Sequence, residues 1–87
     1  MLRIESMRQG NRLILRLIGE LRSGDIGILQ SEIWRDGVSV ILNLKELSVV
    51  DLAGIRFLLD CRERGIDIEE SPPYVREWMK RESEERG

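Results

Sequence analysis

Residues 38–59 read V-S-V-I-L-N-L-K-E-L-S-V-V-D-L-A-G-I-R-F-L-L, a strand pattern that runs into a helix pattern. From Val38 to Leu44 only Ser39 and Asn43 interrupt the aliphatic run. A strand needs such a run when both of its faces are covered, as in a parallel sheet with helical crossovers, so this one is expected at the centre of the sheet. A short connector leads to Asp51. Its carboxylate can accept hydrogen bonds from the N–H groups that the first turn of a helix leaves without intrahelical partners. Ile55, Leu58 and Leu59 then recur at helical spacing, and Gly65 is the expected stop.

Upstream, Leu2, Ile4 and Ser6 alternate with Arg3, Glu5 and Met7, the period of a half-buried edge strand. Gln9, Gly10 and Asn11 supply turn chemistry, and Leu13, Leu15 and Leu17 share one face of the next run, which predicts an antiparallel β-hairpin. Gly19 and Glu20 lead out of it. Ser23 is placed as the N-cap of a helix with Asp25 in its first turn and Ile26, Leu29, Ile33 and Trp34 on its apolar face; Asp36 and Gly37 end it. Downstream of Gly65, Ile66 and Ile68 alternate with Asp67 and Glu69 as a short strand at the other edge. Ser71, Pro72 and Pro73 open a last helix with Val75, Trp78 and Met79 on its apolar face. The predicted order is β-β-α-β-α-β-α. This is a single small α/β domain over residues 1–80, with a mixed sheet (first strand antiparallel, the rest parallel) packed with helices. Residues 81–87 are nearly all charged and are expected to fray as a solvated tail.

Composition bounds the function. With 87 residues and 10.1 kDa there is room for one modest core. A hydrophobic content of 41%, a charged content of 34% and a net charge of −2 describe a globular chain and give no basic patch for nucleic acid. The one cysteine, Cys61, can form no internal disulfide, which suits a reducing cytoplasm. The first residues lack a signal-peptide layout. The apolar run Leu13–Ile18 is broken by Arg16 and is too short to cross a bilayer, so no direct membrane insertion is expected.

The chemistry of the side chains argues against an enzyme and against a cofactor. The chain has no histidine, and so lacks the usual proton shuttle, nucleophile activator and metal ligand. Cys61 falls mid-helix beside the apolar stripe and reads as a small core residue. Glu20, Asp25, Glu46, Asp51 and Asp60 lack the spacing of a metal loop, and Gly24, Gly27 and Gly37 form no phosphate loop. Helical spacing assigns Trp34 and Trp78 to the core; if either is exposed, a partner surface gains weight.

The segment V-I-L-N-L-K-E-L-S-V-V-D-L-A-G-I-R-F-L-L resembles, without a gap, the core of the STAS domains (sulphate transporter and anti-sigma factor antagonist), whose usual form is roughly V-V-L-D-L-S-G-V-x-F-I-D-S-S-G-L-x-x-L-L. Upstream, L-I-L-R-L-I-G-E-L resembles the family's strand ending in G-E-L-D, and E-S-P-P-Y-V-R-E-W-M resembles its last helix, so nearly the whole chain is covered. The resemblance implies a bacterial regulatory module that binds a protein partner of the anti-sigma factor or kinase-like type, and whose binding is switched off by phosphorylation of the residue after the motif's aspartate. Here that residue is Leu52, which cannot be phosphorylated. Ala53 replaces the next serine, Asn43 the strand's aspartate and Arg22 the aspartate after G-E-L, and the second helix is about one turn short. Ser48 and Ser23, the nearest other hydroxyls, are expected in turn or capping roles. The partner surface implied comprises Glu20, Arg22, Ser23 and Asp25 with Asp51, Leu52, Ala53, Gly54 and Ile55. Two other uses stay open: an accessory subunit of a membrane transport complex for lipid or anion, and a module binding an anion or nucleotide at the second helix's N-terminus.

Overall fold

In the computed structural model, which describes residues 1–34 and 38–86, the first strand β1 (Leu2–Gln9) turns through Gly10 into β2 (Arg12–Leu21). Gly10 takes the positive φ (63°) that this tight turn requires. The two strands pair antiparallel over the whole of β1, from Leu2 opposite Gly19 to Gln9 opposite Arg12. A short 3₁₀ turn (Ser23–Asp25) leads into α1 (Ile26–Ile33), followed by β3 (Ser39–Asn43), β4 (Leu47–Val50), α2 (Leu52–Glu63), β5 (Asp67–Glu69) and α3 (Pro73–Arg86). β3 runs parallel to β2, and β5 parallel to β3, giving the order β1-β2-β3-β5. The expected small α/β domain with a mixed sheet, antiparallel only at its first strand, is what the chain forms.

Three details differ from the sequence reading. The connector before Asp51 is a strand: β2 outruns β3, and β4 pairs parallel with its free end, Glu20 opposite Val49 and Leu21 opposite Val50. β2 is therefore the strand with three neighbours, while β3 lies inside the sheet between β2 and β5. β2 also continues to Leu21 instead of ending at Gly19. That glycine (φ 97°) sits where the β2–β4 register shifts, and a Cβ there would lie 2.6 Å from the Met1 carbonyl oxygen. At the other end, α3 runs through Arg86, well past the expected start of the charged tail at residue 81. Glu82 within it is 7% exposed, and its carboxylate accepts a 2.9 Å bond from Arg56 of α2. The stop assigned to Asp36 and Gly37 lies outside the described residues; α1 itself ends at Ile33.

Leu13, Leu15 and Leu17 of β2 form one apolar cluster with Leu29 and Ile33 of α1, Ile55, Leu58 and Leu59 of α2, and Val75 and Met79 of α3. The three helices thus bury their apolar sides on one face of the sheet. α2 is closed by Gly65 (φ 88°): the Gly65 N–H donates to the Arg62 carbonyl and the Ile66 N–H to that of Cys61, the paired bonds of a Schellman stop.

Candidate functional site at the start of the second helix

The β4–α2 corner is held by one carboxylate. Asp51 has extended backbone angles (φ −93°, ψ 177°), which turn its side chain back over the helix start. Its Oδ1 accepts from the Gly54 N–H at 2.8 Å, capping α2, and its Oδ2 accepts from the Ser23 N–H at 3.0 Å. The same residue's N–H donates to the Leu21 carbonyl at 3.2 Å. Asp51 therefore ties the loop after β2 to the start of α2. Gly54 completes the corner by having no side chain: a Cβ there would lie 2.8 Å from Val50 Cγ1 and 2.9 Å from the Leu21 carbonyl oxygen. Both residues are explained by local structural duty alone.

The preceding loop has its own frame. Asp25 Oδ2 accepts from the Arg22 N–H at 2.9 Å, and the Asp25 N–H donates to the Arg22 carbonyl at 2.9 Å. Ser23 contributes its backbone N–H rather than a cap. The residues that precede the 3₁₀ turn and α1 are Arg22 and Asp25. Arg22 Nε donates to Glu20 at 2.9 Å, and this bond, with the ammonium of Met1, holds the Glu20 carboxyl below its ordinary pKa.

On this frame stands Leu52, the first residue of α2. It is 39% exposed, a leucine there cannot cap the helix, and it is not one of the buried core residues. Val49 on β4 and Ile28 on α1 are exposed apolar residues that the sequence reading did not single out. Ala53 is half-buried. Gly54 and Ile55 are buried, Ile55 completely, so these two members of the expected partner surface support it from beneath and offer no side chain to a partner. Period counting could have removed Ile55 from the surface, because it belongs to the same stripe as Leu58 and Leu59.

Other candidates resolve as structure. Ser48 lies in β4, not in a loop, and its hydroxyl donates to the Gly19 carbonyl at 2.8 Å across the β2–β4 bulge. Cys61 is buried, and burial, reinforced by the charge of Asp60, pushes its thiol up to about 12, the opposite of an activated nucleophile. Trp78 is half-buried against the core, but Trp34, expected in the core, is not: α1 ends at Ile33 and leaves it 43% exposed, with the Arg64 guanidinium 4.9 Å from its ring centre, which adds weight to a partner surface. Among the described residues no three of His, Cys, Asp and Glu come together as a metal site, and no helix is long and apolar enough to cross a membrane. An anion at the start of α2 would meet the Asp51 carboxylate, which already takes the Gly54 N–H.

No protein-family model and no curated protein matches the chain. Solved structures do. The anti-sigma factor antagonist SpoIIAA in its unphosphorylated form superposes with a TM-score of 0.68 at 22% identity, over 92% of this chain and 82% of that one. A STAS domain from Rhodobacter sphaeroides, described as an antisigma-factor antagonist, gives 0.54 at 17% identity, over 84% and 91%. A part of the protein Mglu gives 0.64 at 28% identity, over 79% of this chain but 19% of that one.

Proposed function

The chain is a STAS-like domain by fold, and from that premise we propose that it acts as a regulatory protein–protein interaction module without a phosphate switch at the usual position. Its docking surface is the start of α2 together with the loop after β2: Leu52 and Ala53 at the centre, with Glu20, Arg22, Ser23 and Asp25 beside them on the frame set by Asp51. The exposure of Leu52 carries this reading. Its exposed apolar surface costs hydration and performs no capping duty. With 39% of it still exposed, burying the remainder against a partner contributes about 1 kcal/mol. The partner implied is a soluble anti-sigma factor or kinase-like protein in a bacterial cytoplasm, and the outcome is transcriptional regulation. With leucine in place of the phosphoacceptor, binding is constitutive.

The likeness to a segment of the much longer Mglu shows a similar fold as part of a larger chain; the second reading, an accessory module of a membrane transport complex, would use the same surface. Affinity capture with the full chain separates the two. A kinase-like protein retained by the wild type and lost with Leu52→Asp supports the first reading, while a transporter ATPase retained in the same way supports the second. A partner that binds Leu52→Asp as well as the wild type refutes the surface. Incubated with a captured kinase-like partner and ATP, the wild type gains no phosphate by intact mass, and Leu52→Ser gains one.

A further inference from the structure

We infer that the cleft at the carboxyl ends of β3 and β5 binds a small phosphate monoester. The two strands are parallel neighbours, so the connector after each leaves the sheet at the same edge, the one at which open α/β sheets hold ligands. These connectors are fixed in place. The Leu44 N–H donates to the Glu69 carbonyl at 3.0 Å, which ties one connector to the other, and the Lys45 N–H donates to Asn43 Oδ1 at 3.0 Å. Glu70 then takes φ 58°, the left-handed backbone that residues other than glycine rarely adopt, and the chain turns through Ser71 into α3. Between the two connectors and the first turn of α3 lies a cleft of about 590 Å³, within the size range of small-molecule sites.

The lining suits a phosphoryl group that carries an organic substituent. Lys45 and Arg76, from segments far apart in sequence, bring two positive charges to the cleft, and Ser71 adds a hydroxyl. An arginine offers paired N–H donors that match phosphate oxygens, and a lysine a compact charge. Neither cation is committed to a carboxylate: among the described residues Lys45 and Arg76 make no ion pair, whereas Arg3, Arg16, Arg22, Arg56 and Arg64 all do. Glu70 is the only carboxylate among the described residues that line the cleft, so the lining keeps an excess of positive charge. Ile68 and the rings of Pro72 and Pro73 give it apolar surface for the substituent. The site rests on these side chains and not on the helix start, where Pro72 and Pro73 have no N–H to offer.

Exposure sets the strength. Lys45 and Arg76 both face water, so their attraction for an anion is small and screened by salt. A dissociation constant on the order of 1 mM at low ionic strength is expected. None of the residues proposed to dock a partner lines this cleft, so the test needs the chain alone and its outcome is independent of theirs.

Amide NMR of the full chain at pH 7.5, titrated with phenyl phosphate to about 10 mM and with sodium chloride to the same ionic strength as a control for screening, tests the inference. Saturable shifts are expected around Lys45, Glu70, Ser71 and Arg76 with phenyl phosphate and not with chloride. Inorganic phosphate is expected to shift the same residues but to bind at least about threefold more weakly, because it lacks the apolar substituent. Arg76→Gln, at an exposed position, should weaken phenyl phosphate at least about fivefold, and Glu70→Gln should tighten it about twofold by removing a like charge. Absence of saturable shifts up to about 10 mM, ten times the expected dissociation constant, overturns the inference. So do shifts that chloride reproduces, or equal binding by the wild type and an Arg76→Gln variant with native circular dichroism. Inorganic phosphate that binds as tightly as phenyl phosphate overturns the monoester as the ligand.

Discussion

Asp51→Ala removes two hydrogen bonds to a charged acceptor, and their worth can be separated. The bond from Gly54 N–H is an N-cap, whose loss costs about 1 kcal/mol. The bond from Ser23 N–H is more exposed, and its amide can turn to water, so its loss costs about 0.5–1.5 kcal/mol. Together they give about 1.5–2.5 kcal/mol, which in a domain of this size lowers Tm by about 6–20 °C. Asp51→Asn splits the total. Asparagine caps a helix as well as aspartate does, so its side-chain oxygen keeps the Gly54 bond, while its NH₂ turns a second donor towards the Ser23 N–H. It should lose about 0.5–1.5 kcal/mol. Urea denaturation of the three proteins with a common m-value measures both differences, and amide exchange locates them. In Asp51→Asn the Ser23 amide exchanges faster and the Gly54 amide does not. If Asp51→Asn is as unstable as Asp51→Ala, or if Asp51→Ala costs less than about 0.5 kcal/mol, the double tether is not what holds this corner.

Two further outcomes follow from the same packing. Gly54→Ala gains up to about 1 kcal/mol of helix propensity, but its methyl group meets Val50 and the Leu21 carbonyl at 2.8 and 2.9 Å. A net loss of about 1–3 kcal/mol in urea denaturation is expected, and a neutral or stabilising result would contradict the close approach. Cys61 should resist thiol reagents at pH 8 in the folded chain and react at once in urea. Its folded pKa is raised, so below the ordinary value of 9.0 both states hold the proton and stability is unaffected. Between 9.0 and about 12 the unfolded thiol ionises while the folded one does not, so its contribution to stability falls as pH rises. Rapid labelling of the native protein at pH 8 would refute the burial.

What the sequence made legible was local. The alternation of Leu13, Leu15 and Leu17 marks a strand with one wet face, and the run from Val38 to Leu44, interrupted only by Ser39 and Asn43, identifies an interior one. Asp51 could be read as a cap because its Gly54 partner is three residues away. Its second bond goes to a residue 28 positions upstream, and no window of sequence contains both. β4 escaped for the same reason: four residues become a strand only because β2 extends past β3 and offers a free edge. Glu82 stands in a run of charge that reads as solvated, yet the packing of α3 on α2 buries it against Arg56, 26 residues earlier. Trp34 fits a helical stripe by spacing, but α1 ends one residue before it, leaving the ring to stack under Arg64.

The two residues that most strongly suggest a family motif are, in this structure, the ones least informative about function. Asp51 is needed by any chain that must cap this helix and anchor this loop, and Gly54 by any chain whose helix start lies against Leu21 and Val50. Their presence argues for the fold. Leu52 is different, since it caps nothing and remains 39% exposed. Leu52→Asp should accordingly change stability by less than about 1 kcal/mol, because an acidic residue suits the first turn of a helix and Leu52 lies outside the buried cluster. A loss of partner binding in that variant can then be assigned to the surface itself. A change in binding caused by Asp51→Ala cannot, because the corner that presents Leu52 is disturbed at the same time.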